Sequence, residues 1–98
     1  MIFVDGVKFG ERYVARVFGR GVYPSFSVGF YADNRQLVEF PSRPGAFGAA
    51  GADGWRDGYV YVIVPEGVNR LCVFLGCDAE GKNWYDDIGV YRDERESK

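Results

Sequence analysis

An all-β fold, an antiparallel β-sandwich in a single domain, is predicted for this chain by three observations. Aromatic residues carry much of its apolar content, with eight Phe, seven Tyr and two Trp against one Met, and such side chains suit a pleated, half-buried surface. Fourteen Gly and four Pro interrupt the apolar runs too often for long helices. Between the interruptions, apolar and polar residues alternate in short segments spaced roughly 8 to 12 residues apart, the cadence of sandwiches and jelly rolls. Ninety-eight residues, 47% of them hydrophobic, supply one core and leave no material for a second domain. About seven to eight short strands are expected within residues 1–92, with a small closed barrel as the rival architecture. The remaining Asp93-Glu94-Arg95-Glu96-Ser97-Lys98 reads as a disordered, solvated tail.

Taken in order, Ile2 to Val4 and Val7 to Phe9 read as a short strand or arm broken by the turn-forming pair Asp5-Gly6. Glu11 to Phe18 is a strand with Tyr13, Ala15 and Val17 on one face and Arg12, Val14, Arg16 and Phe18 on the other. The recurrence of Arg12, Arg16 and Arg20 every four residues would also line a helix. Gly19, Gly21 and the β-branched and aromatic neighbours favour a strand instead, with all three arginines on its solvent side. Gly19 to Pro24 turns the chain, and Phe26, Val28 and Phe30 enter the core from the next strand while Ser27, Gly29 and Tyr31 face away. After a turn at Asp33-Asn34, Gln36 to Phe40 is expected as a fourth strand. Pro41 to Gly54, rich in Gly, Ala and Pro, reads as a long surface loop. Gly58 to Val64 follows, with Val60, Val62 and Val64 on one face and Tyr59, Tyr61 and Ile63 on the other, a strand expected to be covered on both sides. Pro65-Glu66-Gly67 is a turn, Asn69 to Leu75 a strand, Gly76 to Asn83 a polar loop and Trp84 to Arg92 the last strand.

Composition excludes several functions. The net charge is −2, and neither half carries the clustered Lys and Arg with which a duplex binder displaces counterions, so no nucleic acid is expected as partner. No run approaches the ~20 apolar residues that span a bilayer, and Met1 to Gly6 lacks the features of a secretory signal, so no membrane association is expected. The chain has no histidine, which removes imidazole-dependent nucleophile systems and His-containing zinc sites. Cys72 and Cys77 would lie about 16 Å apart on an extended path, too far for a bridge, and read as small core hydrophobes.

The series Gly10-Glu11-Arg12-Tyr13, Val28-Gly29-Phe30-Tyr31-Ala32-Asp33, Gly54-Trp55, Val64-Pro65-Glu66-Gly67-Val68 and Tyr85-Asp86-Asp87-Ile88-Gly89-Val90 resembles, in order and spacing over roughly residues 10 to 92, the galactose-binding-like jelly roll shared by many carbohydrate-binding modules. The strand material that usually precedes the first motif is reduced here to Met1 to Phe9. The resemblance implies a ligand-binding or architectural domain without catalysis, often with a structural calcium, of a kind found in glycoside hydrolases, cell-surface proteins and phage tail components.

The candidate site residues follow. Trp84 and Tyr85 have opposite parity, so one is expected to face outward and stack on a sugar or a partner protein while the other packs inward. Tyr59 and Tyr61 share a stripe with Ile63 that is either a second core face or an exposed aromatic platform; Tyr31 and Tyr91 are similar candidates, and Trp55 reads as core or core edge. Asp86 and Asp87, adjacent on a strand, should point to opposite faces and so cannot act as an acid/base pair. They are expected either to anchor the strand or, with Asp78 and Glu80, to hold Ca²⁺, which needs six to eight oxygens. Together these residues predict a non-enzymatic module that binds carbohydrate through Trp84, Tyr85, Tyr59 and Tyr61. The alternatives are a homo-oligomeric assembly protein, such as a phage tail or particle component, and a small inhibitor that binds a protein through the acidic C-terminal half.

Overall fold

Strands are the only regular elements among the described residues, as the alternation of side chains requires. A computed structural model of the protein describes residues 2–21, 24–76 and 83–93. In chain order it contains β1 (Ile2–Asp5), β2 (Arg12–Arg20), β3 (Phe26–Ala32), β4 (Arg35–Gln36), β5 (Arg43–Pro44), β6 (Ala46–Phe47), β7 (Arg56–Ile63), β8 (Arg70–Leu75) and β9 (Trp84–Arg92). All pairings are antiparallel. Sheet A runs β1-β8-β3, with β4 and β5 both paired along the far side of β3, and sheet B runs β6-β7-β2-β9. The sheets stack into a slab of 39 × 33 × 18 Å, the short dimension being that of two layers roughly 10 Å apart with side chains on their outer faces. The fold is the predicted sandwich, made of two open sheets rather than a closed barrel.

The period-two pattern builds the core. Phe26, Val28 and Phe30 from β3 and Leu71 and Val73 from β8 meet Ala15 and Val17 from β2 and Val62 from β7, with Val64 just beyond it. Burying each of the larger side chains contributes about 1.5–3 kcal/mol. Val7 and Leu37 plug the core from connecting segments, which explains two departures from the predicted strands. Val7 to Phe9 forms no strand, because Val7 is buried while Phe9 is exposed and the chain turns, Glu11 N–H donating to the Lys8 carbonyl. The fourth strand ends at Gln36, because Leu37 dives inward and leaves Val38 81% exposed.

The glycine-rich segment is also more ordered than a surface loop. It contributes β5 and β6, and Phe47 packs edge-on against Phe26 with ring centres 5.4 Å apart. A Cβ on Gly45 would come within 2.1 Å of the Phe26 ring, and one on Gly58 within 2.6 Å of Phe47. These glycines are seats for aromatic rings, so the segment as far as Phe47 closes one end of the sandwich.

Asp33 turns β3 into β4 at φ 56°, a conformation Asp tolerates when its side chain bonds locally. Here its carboxylate accepts from Asn69 Nδ2 (3.0 Å) and its N–H donates to Asn69 Oδ1 (2.8 Å). Cys72 is fully buried, as expected of a small hydrophobe, and burial pushes its thiol pKa up. Tyr23, Cys77, Asp78, Glu80 and the tail beyond Asp93 lie outside the described residues.

Candidate functional site

Sheet B turns one face to the core and the other to solvent. Residues directly opposite in antiparallel strands project to the same side, so the register identifies who shares the outer face. Across β7, β2 and β9 the rows are Ile63–Arg12, Tyr61–Val14–Tyr91, Tyr59–Arg16–Gly89 and Asp57–Phe18–Asp86, and Arg20 stands beside Trp84. Trp84 and Tyr91 are each 56% exposed, Tyr59 47% and Tyr61 43%. The Tyr59, Tyr61 and Ile63 stripe is therefore an open platform, and the expectation that β7 is covered on both sides is corrected: no described element crosses this face.

Local chemistry fixes the posture of these rings. Tyr59 and Tyr61 meet edge to face, with centroids 5.8 Å apart and an interplanar angle of 77°. Tyr91 lies over Gly89, where a Cβ would come within 2.5 Å of its hydroxyl, and only a residue without a side chain lets a ring rest on the strand this way. The Arg20 guanidinium sits 5.9 Å from the Trp84 ring centre and that of Arg16 5.8 Å from Phe18, attractive cation–π distances. Arg16 Nη2 donates to Asp57 Oδ2 at 2.7 Å, and this bond raises the Arg16 pKa further. Half-exposed, the pair adds little stability; its effect is to hold a planar donor array level with the rings. Asp57 Oδ1 is shielded and finds no donor among the described residues.

The expected site residues divide. Trp84 faces out. Tyr85 opposes Gly19 and packs against the core; its hydroxyl donates to the Gly76 carbonyl (2.6 Å) and accepts from the Ser25 N–H (3.1 Å), tying sheet B to the chain at the ends of β8 and β3. Trp55, half-buried, lines a depression with Phe18, Asp53, Asp86 and Asp87 of about 370 Å³. A second depression, about 270 Å³, lies between Arg16, Phe18, Asp57, Asp87, Ile88 and Tyr91. Arg12, Arg16 and Arg20 do share the solvent side, as the alternation predicts, but strand parity alone could not show that they interleave with the rings of β7 and β9.

A β-bulge corrects the reading of Asp86 and Asp87. Arg16 opposes Gly89 and Phe18 opposes Asp86, so Asp87 and Ile88 together face Val17. Asp87 adopts φ 49°, and its N–H donates to Asp86 Oδ1 at 2.9 Å. The extra residue cancels the alternation, and both carboxylates are exposed and line the same depression instead of opposing faces. One Asp86 oxygen already accepts the Asp87 N–H, and among the described residues no three Asp, Glu, His or Cys side chains are grouped to hold a metal ion; Asp78 and Glu80, the further ligands expected for calcium, lie outside the described residues.

Sheet A contrasts with this. Its outer-face rings converge on one another, Phe3 against Tyr31 at 5.5 Å and Tyr31 against Phe74 at 6.4 Å, over Gly29 and the buried Cys72, and leave Phe3 itself 44% exposed. Arg70 lies 5.0 Å from the Phe3 ring centre and is bonded to Asp5 and Asn34. Compared with protein-family models, with curated proteins and with solved structures, the chain matches none of them, and the outer face of sheet B is read from its own geometry.

Proposed function

We propose that the protein is a non-catalytic binding module that takes an extended carbohydrate chain across the outer face of sheet B. The observation that carries this reading is a cluster of exposed rings: Trp84, Tyr59, Tyr61 and Tyr91 stand together on one face, interleaved with Arg12, Arg16 and Arg20, whereas the other exposed rings, Phe3 and Phe9, stand elsewhere on the molecule. A contiguous patch of this kind, unlike singly scattered apolar residues, marks an interaction surface. Aromatic faces stack on the C–H faces of sugar rings, and the arginine and aspartate groups between them offer donors and acceptors at the level of the hydroxyls. The arginines recur every four residues along β2, roughly 13 Å apart, a spacing that suits a ligand lying along the strand. The shallow depressions favour a chain laid flat over a small sugar held end-on. Tyr85 contributes by fixing the frame through its bonds to Ser25 and Gly76, which leaves Trp84 as the contact of that pair. The resemblance to galactose-binding-like modules supports the same ligand class.

A glycan array tests this with wild type and Trp84→Ala, Tyr59→Ala, Tyr61→Ala and Tyr91→Ala. Each substitution is expected to weaken binding about 5- to 150-fold, the loss of roughly 1–3 kcal/mol for a stacked ring. Absence of any bound glycan, or binding that survives all four substitutions, overturns the reading.

A further inference from the structure

Sheet B ends in an edge unlike the others. β1 is four residues long and β4, β5 and β6 are two residues each, whereas β9 has nine, and among the described residues no strand pairs with its far side. Natural proteins blunt long edges with bulges and charges because unpaired N–H and C=O groups template association. In β9 that protection covers only the first half, where Asp87 and Ile88 form the bulge next to the charged Asp86. From Gly89 to Arg92 the register against β2 is regular, and Ile88-Gly89-Val90-Tyr91 carry no charge.

The direction of its free groups is fixed by one hydrogen bond. Asp93 N–H donates to the Arg12 carbonyl at 2.8 Å, so Asp93 faces β2, and by the alternation of antiparallel ladders so do Tyr91 and Gly89. The N–H and C=O groups of Ile88, Val90 and Arg92 therefore point outward. They are symmetric about Val90.

The geometry points to a homodimer in which β9 pairs antiparallel with β9 of a second copy about a two-fold axis at Val90, joining two four-stranded B sheets into one of eight. Val90 bonds to its equivalent in both directions, and Ile88 and Arg92 of each copy exchange bonds with Arg92 and Ile88 of the other, about six bonds in all. This register leaves Asp86 and Asp87 outside the paired segment, which touches each bulge only at Ile88. It also sets Tyr91 of one copy opposite Gly89 of the other, on which that copy's own Tyr91 rests, so the two rings stand side by side across the axis and the same residues meet on both copies, as in any two-fold interface. A second copy is favoured over an unrelated peptide by this symmetry. The inference is independent of the proposed ligand, although the dimer would make the two aromatic faces continuous.

The test combines sedimentation at increasing concentration with residue-resolved amide exchange. A concentration-dependent species of about twice 11.0 kDa is expected, with the Val90 and Arg92 amides protected in it and released on dilution, while those of Gly89 and Tyr91 stay protected throughout. Val90→Pro removes the central outward donor without touching the bonds to β2 and is expected to halve the mass. Arg92→Pro does the same from a side chain outside the core, and so decides the matter if Val90→Pro fails to fold. A wild-type monomer at all concentrations, a dimer whose Val90 and Arg92 amides exchange freely, or a dimer that persists in a folded proline variant overturns the proposal.

Discussion

Asp87 holds a left-handed backbone conformation that costs most side chains about 1–3 kcal/mol, and it does so where β9 gains its extra residue. Glycine adopts this conformation without strain. Asp87→Gly is therefore expected to leave the denaturation midpoint unchanged or raised, and Asp87→Val to lower stability by roughly 1–3 kcal/mol; equal stabilities for the two would contradict the bulge. Glu11 makes a second prediction at this scale. It accepts the Tyr13 hydroxyl at 2.8 Å and the Lys8 N–H at 2.9 Å and faces Arg92 at 3.3 Å. The Tyr13 bond, then the Lys8 bond, hold its pKa below the ordinary 4.5. Because the folded value lies beneath the unfolded one, the stabilisation is complete above the unfolded value and is lost as pH falls through the folded one. The melting temperature of wild type is expected to fall more steeply on acidification below about pH 4.5 than that of Glu11→Gln, and parallel acid slopes would contradict the assignment. Neither residue's role was legible in the sequence. Asp86-Asp87 looks like ordinary strand until β9 is counted against β2, and that register is a non-local quantity.

At the scale of elements, parity along a strand was legible because it is local: β2, β3 and β7 bury the residues their alternation assigns to the core. The segment from Pro41 to Gly54 was not, because its composition conceals why the glycines are there. Gly45 in this segment and Gly58 in β7 are the positions on which Phe26 and Phe47 rest, and nothing adjacent in the chain announces a ring arriving from another strand. Gly45→Ala and Gly58→Ala are each expected to cost about 1–3 kcal/mol through overpacking, measured by chemical denaturation. Gly48→Ala, whose Cβ would meet its nearest neighbour at an ordinary 3.8 Å, is the control and should change stability by less than about 0.5 kcal/mol. A similar loss in all three variants would mean that the end of the sandwich is not closed by these rings.

For the whole molecule, the decisive asymmetry is between the two outer faces. Both sheets carry aromatics outward, so alternation alone could not say which stripe is covered. The answer lies in where the rings fall: Phe3, Tyr31 and Phe74 converge over Gly29 and Cys72 on sheet A, whereas on sheet B the rings are spread among three arginines. The candidate site was thus legible residue by residue in Trp84, Tyr59 and Tyr61, while Tyr85 turned out to be a tie between the sheets and the arginine rows awaited the register. Chemical modification of the native protein, read by mass spectrometry, tests this most directly. Tyr59, Tyr61 and Tyr91 are expected to nitrate first, and Trp84 to oxidise before Trp55, while Tyr13 and Tyr85, hydrogen-bonded and packed against the core, stay unmodified until the protein unfolds. Modification of Tyr85 and Tyr13 at the same rate as the other three, or protection of Tyr59, Tyr61 and Tyr91 in the folded protein, would contradict an open aromatic face on sheet B.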